Sequence, residues 1–398
     1  MSHSRPRTIL CITTYEKGQE FMRECKRQGC CVLLLTAEKL KEADWPRESL
    51  DDTFYIPESL PLSDIVQAVT HLARSHKLDR IVALDEYDME TASTLREHLR
   101  IPGMGLTTMR YFRDKLAMRM KALDRRVRVP DFVPVFNQDD VRFYLEHVPG
   151  PWVLKPRQEA SAIGIKKIHA AAELWPVLDQ LGDQRSGYLL ERFVPGDVYH
   201  VDSVVWENEV VFANISKYGK PPMNVAQGGG IFTTYGVPRG SDADAALRAV
   251  NKDLIAALGL VRGVAHAEFI QAHSDRHYYF LECAARVGGA YINEMVEAAT
   301  GLNLWREWAR IEVAGRYQLP PLREEYAGVI LSLARQQDPD TSAYNDPEVF
   351  LRIKKHHHAG LVLRSCDPRR VQSLLESYAQ RFAEEFLAVA PQRDKPTA

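Results

Sequence analysis

The sequence predicts an α/β fold: a small unit with a parallel sheet, then a larger region of antiparallel strands. Three observations lead there. Up to about residue 105, apolar strands alternate with amphipathic helices, the pattern of a parallel sheet joined by crossovers. From about residue 106, strands succeed one another through short polar turns, which suits antiparallel pairing. Third, VAHAEFIQA, the polar turn HSDR and HYYFLECAA read as one β-hairpin.

The elements follow in order. TILCITT is a strand, EKGQEFMRECKRQG an amphipathic helix and CCVLLLT a second strand. Helix SDIVQAVTHLARSH, strand RIVALDE and helix DMETASTLREHLR repeat the unit before IPG. One helix is expected over RYFRDKLAMRMKAL, then strands PWVLKP and GIKKIH joined by the small-residue loop RQEASAI. Helix AAELWPVLDQL leads to strand YLLERFV, the turn PGD, and strands VYHVDSVVWE and VVFANISKY. A glycine-rich loop, NVAQGGGIFTTYG, reads as a mobile lid through Gly228 to Gly230 and precedes helix DADAALRAVNKDLIAALG. After the hairpin come GGAYINEMVEAATG and helix LWREWARIEVAG. Strands GVILSLA, FLRIKK and GLVLRS and a helix from about Arg369 to Ala388 finish the chain, with the tail PQRDKPTA expected to be disordered. No internal repeat is visible.

Composition narrows the function classes. The 398 residues are 45% hydrophobic and 26% charged, as in ordinary globular proteins. A net charge of -2 argues against a nucleic-acid partner, and the basic clusters Arg125, Arg126, Arg128 and Arg352, Lys354, Lys355 read as solvated surface. No apolar run reaches the roughly 18 residues of a membrane span, and none resembles a secretory signal. Six scattered cysteines without CxxC spacing read as buried thiols of a cytoplasmic protein. GxGxxG and GxxxxGK[ST] are absent, so neither a Rossmann cofactor site nor a P-loop is indicated.

The hairpin carries the chemistry. Centred on Asp275, it sets Glu268 opposite Glu282 on one face, with Cβ atoms about 4.5 to 5.5 Å apart. Two bare carboxylates there would repel by roughly 3 kcal/mol at an effective dielectric near 20. A cation is expected between them, and magnesium shared with phosphate oxygens is the economical choice. Lys155, within apolar WVLKP, needs an anionic partner that a phosphate would supply, while Ser161 and Gly164 let backbone amides approach it. The strand LLERFVPG could read a purine edge, with Phe193 and Val194 as an apolar wall. Asp85 and Glu86 end strand RIVALDE where α/β sheets present ligands, with helix capping as an equal alternative. His356 to His358 alternate across a strand and are not expected to converge on a metal.

Taken in order, FRDKLAM, WVLKP, LLERFVPG, AHAEF and LECAARVGG resemble the ATP-grasp superfamily over roughly residues 1 to 318. The resemblance implies a pre-ATP-grasp, Rossmann-like domain (1–105), the two halves of the grasp (106–187 and 188–318) and a small C-terminal α/β segment (319–398). It also implies residue roles. Lys115 and Lys155 would contact phosphate, Glu191 with the backbone at Phe193 and Val194 would form the adenine hinge, and Glu268 and Glu282 would hold Mg2+, with Mn2+ as a substitute. Arg286 matches the arginine that stabilises an acyl phosphate or the transferring phosphoryl group. Two positions depart from the pattern. Ala284 stands where a further metal-ligating asparagine is common, and Val198 where a ribose-binding acid is common, leaving Asp197, His200 or Asp202 as candidates for the ribose. The expected activity is ADP-forming ligation of a small carboxylate to an amine, with amino-acid or peptide substrates as the default. A regulatory ATP-binding module is the alternative, and a biotin-carboxylase-like enzyme a weaker one. Oligomeric state is left open, a homodimer being the commonest arrangement in general.

Overall fold

The computed structural model describes residues 5–160 and 163–389. Ser161 and the tail PQRDKPTA lie outside them. Strands β1 (Thr8–Thr13), β2 (Cys31–Ala37), β3 (Asp52–Ile56) and β4 (Arg80–Ala83) form a parallel sheet in the order β3-β2-β1-β4. β1 is buried along its whole length, as expected of a central strand covered on both faces. The sequence reading missed β3, a short strand without alternation that is reached through two 3-10 turns rather than a helix.

A second, antiparallel sheet in the order β5-β8-β6-β7 contains β5 (Phe132–Pro134), β6 (Trp152–Pro156), β7 (Lys166–Ile168) and β8 (Tyr188–Arg192). Helices Gln138–His147 and Ala171–Leu181 pack Val141, Tyr144, Leu174 and Leu178 against its Trp152, Leu154 and Leu190. β8 therefore belongs with 106–187, although the sequence boundary placed it in the next segment.

The third sheet has eight strands: β9 (Gly196–Trp206), β10 (Glu209–Tyr218), β11 (Phe232–Gly236), β12 (Gly263–Ala272), β13 (Tyr278–Ala284), β14 (Tyr326–Leu333), β15 (Val349–Lys355) and β16 (His358–Ser365). Their order is β13-β12-β9-β10-β11-β14-β16-β15. The boundary drawn at 318 thus crosses a continuous sheet, since β11 pairs with β14. Part of the supposed glycine-rich lid is a short helix, Pro222–Gly228, and Gly229 and Gly230 take φ of 68° and 148° before β11. His356 and His357 form the two-residue turn between β15 and β16, with His357 at φ 56°. Cys11, Cys25, Cys30 and Cys283 are buried, but Cys366 is exposed, against expectation. Among the described residues no helix is long and apolar enough to cross a membrane.

Candidate active site

β12 and β13 pair with Glu268 directly opposite Glu282, through a register that is not uniform. Nearer the turn, Phe269 faces Phe280 and Gln271 faces Tyr278, and a shift before Glu268 passes over Leu281. Leu281 is the extra residue of a β-bulge. Without it the tip register would set Glu268 against Leu281 and send Glu282 to the other face. Symmetry about Asp275 therefore holds only at the base of the hairpin.

β9 and β12 pair without a shift from Gly263–Val205 to Ala272–Gly196, so their even-numbered residues share one face. That parity separates the ribose candidates. Asp197 lies on the opposite face, where it binds Lys217 at 3.0 Å. His200 and Asp202 share the face of Glu268 but are fully buried and bonded to each other. Val198 instead joins Val194, Tyr218, Ile270 and Ala272 in an apolar patch bordered by Phe232, Tyr279 and Leu281.

Glu268 Oε1 accepts the Tyr218 hydroxyl at 2.7 Å and lies 3.6 Å from His266 Nε2. Burial opposes its charge, yet these partners hold the Glu268 carboxyl below the usual range. Asp202 takes His200 Nδ1 on one oxygen at 2.7 Å and His266 Nδ1 on the other at 2.9 Å. Burial disfavours the His266 imidazolium, but the Asp202 carboxylate beside it pushes the group up to about 9. By residue type His200, Asp202 and His266 could hold a metal, but they already hydrogen-bond one another through those atoms. Tyr218 and His266 were missed from the sequence; their signal was strand parity relative to Glu268.

The helix expected over RYFRDKLAMRMKAL is broken. Leu106–Arg110 ends early and Lys115–Asp124 starts afresh, because Asp114 caps it by accepting from Leu116 N at 3.0 Å and Ala117 N at 3.4 Å. Lys115, at the first helical position, reaches Glu282 Oε2 at 2.8 Å and the Glu159 carbonyl at 2.6 Å. Lys155 does not wait for a phosphate, contrary to expectation. Glu191, diagonal to it across β6 and β8, is its counter-ion and also takes Arg119 Nε at 3.1 Å. Glu191 therefore turns inward rather than toward an adenine, and only backbone is left to serve as a hinge. Burial lowers Lys155 to about 8 despite Glu191. The trio keeps one net positive charge, and among the described residues Arg119 Nη1 is buried without a hydrogen-bond partner.

Arg286, just beyond β13, is bonded to Glu86, in the 3-10 turn that follows β4, through Nε at 3.1 Å and Nη2 at 2.5 Å. Although burial opposes it, Arg286 lowers the Glu86 carboxyl to about 2. Downstream, Ala290 and Tyr291 both take positive φ (52° and 61°), strain worth about 1 to 2 kcal/mol per residue, before helix Ile292–Thr300. Gly164 takes φ 69°, and a Cβ there would meet Pro156 Cγ at 2.8 Å. Phe193 donates its N–H to the Pro151 carbonyl at 3.0 Å and lies under Lys167 Nζ, 3.9 Å from the ring centroid, while Val194 is buried.

No family model matches the chain. It is 25% identical over 270 residues to the L-arginine-specific L-amino acid ligase of Bacillus subtilis, covering 66% of this chain and 64% of that enzyme. The L-amino acid ligase of Bacillus licheniformis superposes with a TM-score of 0.75 at 17% identity, covering 98% of this chain and all of the other. The chain has the fold of that ligase. N5-carboxyaminoimidazole synthetase from Staphylococcus aureus, complexed with ADP, has the same fold at TM-score 0.73, 16% identity and 94% and 96% coverage. The β5-β8-β6-β7 sheet carries Lys155, and the β13–β9 end of the large sheet carries the glutamate pair.

Proposed function

We propose that the chain is an ADP-forming ligase that activates a small carboxylate, most simply that of an amino acid, and passes it to an amine. The single observation carrying this reading is the convergence of Glu268, Glu282 and Lys115, with Arg286 on the loop that leaves the same hairpin. Two opposed carboxylates are the hard oxygen donors that magnesium or manganese prefers, and Lys115 already answers the need for positive charge beside Glu282. Such an ion, when bound, would neutralise phosphate charge. The unpartnered Arg119 nitrogen and the net positive trio around Lys155 fit an anionic ligand, and the apolar patch around Val198 fits a flat ring.

In this reading Lys155 and Lys115 hold the ATP phosphates so that a carboxylate oxygen lies in line with the γ-phosphorus. The oxygen–phosphorus bond forms, ADP leaves, and Arg286 stabilises charge on the acyl phosphate. The amine then attacks the acyl carbon and phosphate departs.

Hydroxylamine in place of the amine is the test, run over a panel of amino acids. It should capture a hydroxamate with stoichiometric ADP and phosphate, only when the correct carboxylate is present, and Glu282→Gln should abolish it. AMP among the products would refute the mechanism. Ala284, buried opposite His266 with no side-chain oxygen to offer, is the observation that favours a regulatory nucleotide binder. Tight ATP binding with no carboxylate-stimulated turnover across the panel would decide for that second reading.

A further inference from the structure

The proposed cation pair needs Glu268 to present a defined oxygen to Glu282, and a carboxylate on a strand can turn about its terminal bond. Among the described residues, the contacts to Glu268 fall on one oxygen, Oε1: the Tyr218 hydroxyl at 2.7 Å and His266 Nε2 at 3.6 Å. None of these residues takes Oε2. His266 cannot swing away, because its other nitrogen is bonded to Asp202, whose second oxygen is held by His200. His200 Nε2 is in turn 2.7 Å from Thr234 Oγ1, which donates to the Lys217 carbonyl at 3.1 Å. The chain thus runs from the backbone of β10 through four fully or nearly fully buried side chains to the Glu268 carboxylate.

A second, independent feature meets the same cluster. A Cβ on Gly288, two residues past Arg286, would lie 3.0 Å from Asp202 Oδ1 and 3.0 Å from His266 Nδ1. The arginine loop therefore packs its bare backbone on the Asp202–His266 pair. One buried network supports both the carboxylate and the loop that carries the guanidinium.

We propose that His266 is a positioning residue for Glu268, locked by Asp202 and His200, so that the carboxylate offers Oε2 to a divalent cation. The proposal rests on the cation reading above. Comparable outer-sphere partners of metal ligands change metal affinity by about 10- to 100-fold when removed.

The two nitrogens of His266 can be tested apart. His266→Asn keeps an amide where Nδ1 meets Asp202 and removes the side facing Glu268, whereas His266→Gln keeps the far nitrogen. The probe is Mn2+, with its affinity for the full-length protein measured by electron paramagnetic resonance in the presence of ADP. His266→Asn should weaken Mn2+ by about tenfold or more while its melting temperature stays near wild type, and His266→Gln should retain most of the affinity. A purely structural role would instead make the two variants alike. Asp202→Asn should give a loss like that of His266→Asn. Should it unfold, His266→Asn, which leaves Asp202 partnered, carries the test alone. Mn2+ affinity within twofold of wild type in folded His266→Asn overturns the positioning role. No Mn2+ binding by the wild-type protein overturns the cation reading and this inference together.

Discussion

Asp88 is 3% exposed behind the end of β4, accepting the Thr14 N–H at 2.8 Å. Burial, with some help from Asp85, pushes its carboxyl from 3.8 up to about 7. The folded-state value is raised, so the stability lent by the protonated acid is complete below about 3.8 and is lost as pH rises through about 7. Asp88→Asn, a permanent mimic of the neutral form, should therefore stabilise the protein at pH 8 by up to about 4 kcal/mol. The gain should shrink as the pH falls to 5, which urea titrations at the two values would check. Glu191→Gln should act in the opposite direction. It strands Lys155 and Arg119 in the interior and should cost about 3 to 5 kcal/mol by the same titration. Residues with a local signature were readable in sequence, as with Glu268 and Glu282 flanking a turn. The counter-ion of Lys155 was not, because Glu191 lies 36 residues away and becomes a neighbour only when β6 and β8 pair.

Asp114 decides where one helix starts and so where Lys115 stands. It caps two backbone N–H groups and also takes Arg157 Nε at 2.9 Å. Asp114→Ala should cost about 2 kcal/mol or more by urea denaturation, since the cap alone is typically worth about 1 kcal/mol and a charged partner is lost with it. Asp114→Asn keeps the cap and should cost less. If the two substitutions prove equal, the charge is what matters and the cap is not. The apolar spacing of RYFRDKLAMRMKAL continues across the break, which is why it read as one helix; the aspartate was the overriding signal. Helix Gln138–His147 was overlooked because it buries only Val141 and Tyr144, too narrow a stripe to stand out, although its Asn137 cap was visible. The bulge at Leu281 leaves no mark in composition, since it arises from the mismatch between turn and strand register.

At the scale of the whole molecule, Glu86 with Arg286, Glu20 with Arg306 and Glu24 with Arg310 tie the first sheet's segment to the loop after β13 and to helix Leu304–Val313. The change from parallel to antiparallel pairing near residue 106 was legible in the strand pattern. Sheet membership was not, because pairing partners such as β11 and β14 are about ninety residues apart in the chain. Their pairing bears on how this protein can be handled. A chain stopped at residue 318 would lose β14, β15 and β16 and leave β11 as an open edge of unpaired N–H and C=O groups, a template for any other strand it meets. Such a fragment should collect in the insoluble fraction on expression, whereas the full chain stays in solution. A soluble, monomeric fragment that still bound nucleotide would mean that the last eighty residues do no more than ride on the sheet.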